Sequence, residues 1–141
     1  MATTSPTSAS LPAAGGCLCG AIRYRITAAP LGTSFCHCRS CRLAAGAPAV
    51  AWVVVPRAGL VFDRGEPVEF MSSPGTRRTF CGRCGTSLTY ERVGESSIDI
   101  HTATLDQPDA FPPDREIWLE EKIAWMATND RFTPYPRSSK G

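Results

Sequence analysis

Seven cysteines stand in three tight groups in this chain. The first group is Cys17-Leu18-Cys19-Gly20, the second Cys36-His37-Cys38-Arg39-Ser40-Cys41, and the third Cys81-Gly82-Arg83-Cys84-Gly85. An odd number excludes a complete disulfide framework within the chain. Cysteines one or two residues apart can instead reach one metal from a tight turn, and zinc takes four thiolates in a tetrahedron. A pair supplies two ligands, so two pairs close a site. The first and third groups each end in Cys-Gly. A glycine there lets the backbone take φ > 0 and fold back beneath a metal. The middle group has Arg42 in that place. This supports pairing Cys17 and Cys19 with Cys81 and Cys84 in one four-cysteine site, leaving Cys36, Cys38 and Cys41 together. Structural zinc sites are closed, whereas catalytic ones keep a fourth position for water or substrate. Four plus three therefore reads as one closed site for stability and one open site for chemistry.

Other readings of the same cysteines remain at this point. His37 or His101 could close the second site as an eighth ligand. His37 sits between two ligands, so in an extended segment its side chain points away from them. Cys81 and Cys84 could form a redox pair, although no strand–helix context surrounds them. Free buried cysteines are the blandest option.

The elements that must position these groups read as strands and turns. Ile22, Tyr24 and Ile26 alternate with Arg23 and Arg25, the pattern of a half-buried strand over Ala21–Ile26. Ala49–Val55 is continuous and valine-rich and ends at Pro56, as a buried strand does. Further strands are expected at Gly59–Asp63, Val68–Met71, Thr76–Phe80, Ser87–Glu91 and Ser97–Thr102. Turns are expected at Arg64–Pro67 and Ser73–Gly75. Helix is limited to a short turn at Ser40–Ala45 and another over Leu105–Phe111, which Pro108 and Pro112 restrict. Ile117–Met126 reads as strand or irregular segment. The class is mainly β, in one domain.

Composition bounds the function. A length of 141 residues suits one domain with a real core. No apolar run approaches the roughly 18 residues that cross a bilayer. The net charge of +2 is too small to point to nucleic acid. No secretory pattern opens the chain, so a reducing, cytoplasmic setting is expected, in which clustered cysteines are more often metal ligands. The Ser-, Thr-, Ala- and Pro-rich residues 1–14 read as a disordered tail, residues 15–133 as the domain, and residues 134–141 as a second tail. An exposed strand edge in a small β fold could support a homodimer.

The chain resembles the glutathione-dependent formaldehyde-activating enzyme (Gfa) family, also called the centromere-protein-V-like domain. The resemblance rests on Gly16–Gly20, Cys36–Arg42, Gly46-Ala47-Pro48, Ser73-Pro74-Gly75, Arg78–Thr86 and Thr104-Leu105-Asp106, with Ile117-Trp118 and Trp125 late in the chain. It implies the Mss4-like fold, several small antiparallel sheets around a structural zinc. It also implies two zinc ions, a structural one on Cys17, Cys19, Cys81 and Cys84 and an exchangeable, catalytic one on Cys36, Cys38 and Cys41. The implied substrate is a small-molecule thiol or thiol–aldehyde adduct such as S-hydroxymethylglutathione, and the implied reaction a carbon–sulfur lyase step. Ala103, Ala124 and His101 depart from the family's pattern in loops, where they could reshape a substrate pocket. Arg39, Arg42, Arg77, Arg78 and Arg83 are candidate clamps for glutathione carboxylates. Asp106 is a candidate base, or the local cap of its turn. His37 is a candidate proton shuttle or an idle surface histidine. The competing functions are a non-catalytic zinc-binding interaction module, a zinc-ribbon-like nucleic-acid binder and a lyase for another thiol adduct.

Overall fold

The computed structural model describes residues 10–140. Eleven strands and one short helix follow in order: β1 (Ala13–Gly16), β2 (Arg23–Ile26), β3 (Gly32–Cys36), α1 (Arg39–Ala45), β4 (Val50–Pro56), β5 (Leu60–Arg64), β6 (Val68–Ser73), β7 (Thr76–Phe80), β8 (Ser87–Arg92), β9 (Ser97–His101), β10 (Arg115–Ile117) and β11 (Thr133–Pro134). They form two sheets. One has three strands in the order β1-β2-β5. The other has eight, in the order β11-β10-β3-β4-β9-β8-β7-β6.

The mainly β, single-domain expectation describes this chain, with one refinement. A single large sheet dominates, and two of its pairings, β10 with β3 and β10 with β11, are parallel. Parallel neighbours require a long connection, and β10 reaches β3 only after most of the sheet has been laid down.

The valine run of β4 explains the core. Val53 and Val55 point into the main cluster with Ile22, Tyr24, Ile26, Leu88, Ile98, Ile100, Leu105 and Phe111. On the opposite face Val50 and Trp52 join a second cluster with Cys36 and Cys41. A strand covered on both faces reads as a continuous apolar run. β9, its neighbour, is covered differently: Ile98 and Ile100 are buried, while Ser97 and Asp99 stand between them on the other face.

Four short strands, β1, β3, β10 and β11, escape the sequence reading. β1 pairs with β2 through Ala13↔Ile26 to Gly16↔Arg23, so Ala13 and Ala14 belong to the sheet rather than to a tail. Gly15 and Gly16 are required there. A Cβ on Gly15 would strike Tyr24, and one on Gly16 would strike the Ile22 backbone. The expected tail over residues 1–9 lies outside the described residues. The C-terminal tail is also docked. Tyr135 N donates to Glu116 O at 2.9 Å, and Trp118 N donates to Arg137 O at 3.1 Å. These backbone bonds carry no composition signal, and so the segment reads as a loop. The helical turn expected within Leu105–Phe111 is a 3₁₀ turn at Pro108–Ala110, and Ile117–Met126 is largely irregular after β10, with a 3₁₀ turn at Leu119–Glu121. No helix among the described residues is long and apolar enough to cross a membrane.

Ile100 is fully buried where the two sheets meet. Ile100→Ala should therefore lower unfolding free energy by about 2–5 kcal/mol, measured by chemical denaturation of the metal-loaded protein.

Candidate metal centre and active-site cavity

The first and third cysteine groups are both tight turns closed by a glycine N–H, one over four residues and the other over five. Cys17 follows β1, and Gly20 N donates back to Cys17 O at 3.1 Å. Cys81 follows β7, and Gly85 N donates to Cys81 O at 2.8 Å. Gly20 and Gly85 have φ of +80° and +81°, the left-handed geometry the sequence reading asked of them. Backbone N–H groups aim at sulfur in both turns: Ile22 N donates to Cys17 Sγ at 3.2 Å, and Cys84 N to Cys81 Sγ at 3.4 Å. Thr86 joins the turns, its Oγ1 accepting from Leu18 N at 3.0 Å and lying 3.2 Å from Cys84 Sγ. Through that hydroxyl and its own N–H, Thr86 holds the Cys84 thiol down to about 5.

The four sulfurs of Cys17, Cys19, Cys81 and Cys84 lie within 4.8 Å of one another. Cys17 and Cys19 are 3.6 Å apart, and Cys19 and Cys81 are 3.9 Å apart. Thiolates about 2.3 Å from a tetrahedral zinc would stand about 3.8 Å from each other, so these sulfurs fit such an ion without rearrangement.

The middle group is built from a strand end and a helix start. Cys36 closes β3, Cys38 is the N-cap of α1, and Cys41 lies in the first turn of α1. The Cys38 sulfur accepts from Cys41 N at 3.2 Å, taking the capping role that Ser or Asp usually fills. The three sulfurs again lie within 4.8 Å of one another. Hydrogen bonds from the Cys36 and Cys41 thiols hold Cys38 far below its ordinary value, with the Cys41 N–H and the Arg78 charge behind them, and the same contacts push Cys36 up.

Cys36, Cys38 and Cys41 line a cavity of about 590 Å³, and the four-cysteine group does not. The cavity opens on the second face of the large sheet. Its walls include Trp52, Arg78, Tyr90, Asp99 and Trp118, and its rim carries Arg92, Glu95, Arg115 and Lys140. Trp118 adopts φ +58°, an uncommon conformation for a bulky residue, and its N–H is tied to Arg137 O. Arg78 lies against the cysteines. Its Nη2 is 3.8 Å from Cys41 Sγ, and its guanidinium carbon sits 4.9 Å from the Tyr90 ring centre.

The other candidates fall into place around this cavity. Of the five arginines named as clamps, Arg78 lines it. Arg77 is held by Glu91 at 2.8 Å, while Arg42 bonds the carbonyls of His37 and Glu121. Asp106 forms a two-pronged ion pair with Arg23 away from the cavity. That explains its turn better than either base or cap. His37 is no surface residue. It is fully buried, and its Nε2 lies 3.0 Å from Glu116 Oε1, so it points away from the cysteines toward β10. His101 stacks on Trp52 at 4.2 Å and lies outside both cysteine groups. Burial pushes it down to about 4, with the Arg78 charge adding, so it is neutral at pH 7.

Sequence reasoning passed over Asp99, Tyr90, Trp52, Arg92, Arg115 and Lys140. The one legible signal was the polar face of β9, Ser97-x-Asp99-x-His101. It marks a solvated or ligand-facing side without telling which. Burial pushes the Asp99 carboxyl up to about 7, with Glu95 adding and Lys140 and Arg78 opposing.

The comparisons with known proteins bear on the whole chain. The model of the glutathione-dependent formaldehyde-activating enzyme family matches residues 12–121. The chain belongs to this family. A Halomonas elongata protein named "Putative glutathione-dependent formaldehyde-activating enzyme" is 28% identical, covering 89% of each chain. A Schizosaccharomyces pombe protein described as an uncharacterized lyase is 32% identical over 77% of this chain and 79% of its own. A solved Rhodobacter sphaeroides structure is similar in fold, at 18% identity and a TM-score of 0.57, over 86% of this chain and 98% of that one. The matched stretch contains all three cysteine groups, which this fold gathers into two clusters.

Two outcomes follow from this geometry. Cys84→Ser should lower stability by more than about 3 kcal/mol or prevent folding, whereas Cys38→Ser should leave the thermal midpoint within a few degrees, with one metal equivalent lost by elemental analysis. The second outcome concerns pH. Unfolded Asp99 ionises near 3.8, while folded Asp99 holds its proton to about 7. The stability that this proton provides is present at low pH and is lost between those values, at up to about 1.4 kcal/mol per pH unit. Asp99→Asn should remove that part of the slope in denaturation curves from pH 5 to 8.

Proposed function

We propose that this protein is a carbon–sulfur lyase that makes and breaks a thiol–aldehyde adduct of the S-hydroxymethylglutathione type, with zinc at both cysteine clusters. The observation that carries this reading is the division between them. The three-cysteine cluster opens on a cavity, whereas the four-cysteine cluster ties the two sheets together. Family membership and the lyase name of a relative support the same reaction class.

In the forward direction the thiol sulfur bonds to the aldehyde carbon, and the thiol proton ends on the new hydroxyl oxygen. In reverse, the carbon–sulfur bond breaks and the proton returns to sulfur. A zinc ion held by Cys36, Cys38 and Cys41 would lower the pKa of a thiol brought to its open position, so that thiolate is available at neutral pH. The chain's own residues do the rest. Arg78 offsets the negative charge of clustered thiolates beside Cys41. Trp52 and Tyr90 give the cavity an aromatic wall that excludes water from the reacting sulfur. Arg92 at the rim offers a cationic partner for a glutathione carboxylate, while Arg115 and Lys140 are already paired with Asp114 and Glu95.

The test is the rate of adduct formation from glutathione and formaldehyde, followed by NMR line shape or exchange. The zinc-loaded protein should exceed the uncatalysed rate. Cys38→Ser should lose at least about 100-fold, and Arg78→Ala about 10-fold, chiefly in KM. A wild-type rate equal to the background would overturn the reading.

A further inference from the structure

One row of the large sheet crosses the cavity wall in register. Arg78 pairs with Tyr90, Tyr90 with Asp99, Asp99 with Val54, and Val54 with Gly32. All five line the cavity. Asp99 stands in the middle of the row, and among the described residues its carboxylate forms no side-chain hydrogen bond or ion pair. A half-buried carboxylate that lines a cavity and has no partner of its own is free to meet a ligand there. In a cleft, such a group marks a function.

The sheet register fixes what that function can reach. Cys36 pairs with Val50, and Asp99 pairs with Val54 on the same strand. Asp99 is therefore two strands across and four residues along from Cys36. With strands about 4.8 Å apart and about 3.3 Å per residue, the separation of their backbones is about 16 Å. That backbone separation sets Asp99 along the sheet from Cys36 rather than beside it. It is within the reach of an extended tripeptide thiol, about 10 Å of backbone plus the side chains at either end.

We propose that Asp99 is the subsite for the α-ammonium group at the γ-glutamyl end of a glutathione adduct, and so a specificity-determining residue. The inference rests on the reading of the cavity as a thiol-adduct site. This carboxylate has no donor of its own, and Arg78 and Lys140, the cations that act on it, are engaged elsewhere. Arg78 stacks on Tyr90 and turns toward Ser72 and Cys41, while Lys140 lies 3.9 Å from Glu95. The distal end of glutathione carries an ammonium beside a carboxylate. Asp99 can take the first, and the rim cation Arg92 the second.

The charged and titratable groups around Asp99 are Arg78, Tyr90 and Arg92 from β7 and β8, His101 from its own strand, Glu95 from the β8–β9 turn, Lys140 from the C-terminus and Arg115 near Gly32. Burial, with Glu95 adding and Lys140 and Arg78 opposing, brings the carboxyl up to about 7. An ammonium ligand should therefore bind more tightly as the pH rises through about 7.

Calorimetry on the zinc-loaded protein tests this with two ligands, glutathione and glutathione acetylated on the α-amine. The wild type should prefer glutathione by about tenfold or more, and the preference should grow between pH 6 and 8. In Asp99→Asn the ratio of the two affinities should fall to within about twofold and lose its pH dependence. A wild type without the preference, or an Asp99→Asn variant that keeps it, overturns the subsite. The wild-type comparison decides the matter even if the variant folds poorly. The lyase reading is judged separately. Selective binding without turnover would overturn that reading and leave the Asp99 subsite standing, and turnover without an Asp99-dependent preference would do the reverse. Failure of the wild type to bind either thiol would overturn both.

Discussion

The convergence of four sulfurs from two sheets is the constraint on which the rest of this structure depends. Cys17 and Cys19 leave the edge of the three-stranded sheet, and Cys81 and Cys84 come from the β7–β8 turn of the eight-stranded one. Thr86 also joins these two turns, its hydroxyl accepting from the Leu18 N–H. Thiolates held this near one another repel unless a cation or shared protons lie among them. Gathering them therefore couples the folding of the two sheets to whatever occupies the cluster.

A second constraint is β4, which is buried on both faces. Its Val53 and Val55 close the main core, and its Val50 and Trp52 floor the region that holds Cys36 and Cys41. The cysteine loop is thereby backed by packed side chains on one side, while the cavity opens on the other. The His37–Glu116 pair anchors the loop from behind, and Glu116 Oε2 also accepts from Asn129 N. A loop carrying three reactive thiols is in this way held by a strand, a helix cap and a buried polar pair. Rigid support of this kind is what a binding site requires.

The cavity also separates two tasks along one sheet face. The cysteine end is sulfur-rich and aromatic, and the opposite end carries charges of both signs. A ligand with one thiol and a zwitterionic tail matches that polarity. The separation arises from register. Residues four positions apart on neighbouring strands share a face but stand far apart along it.

The sequence by itself determined the three cysteine groups and their division into four and three, because ligand spacing and the glycines at 20 and 85 are local properties of a turn. It also determined β2, β4 and most of the strands from β5 to β9, because apolar alternation and valine runs report burial directly. Helix α1 and the turns at Gly65 and Gly75 were legible for the same local reason. Only the tertiary structure decided that Asp99, Tyr90, Arg78 and the rim around Lys140 belong to one cavity, that Asp106 pairs with Arg23, and that His37 is buried against Glu116. It also decided β1, β3, β10 and β11, which are short and lack a strong apolar pattern. These features depend on strand order, on register and on contacts between residues far apart in the chain, 92 positions in the case of Ala14 and Asp106. Local composition carries no record of which distant residue a side chain will meet.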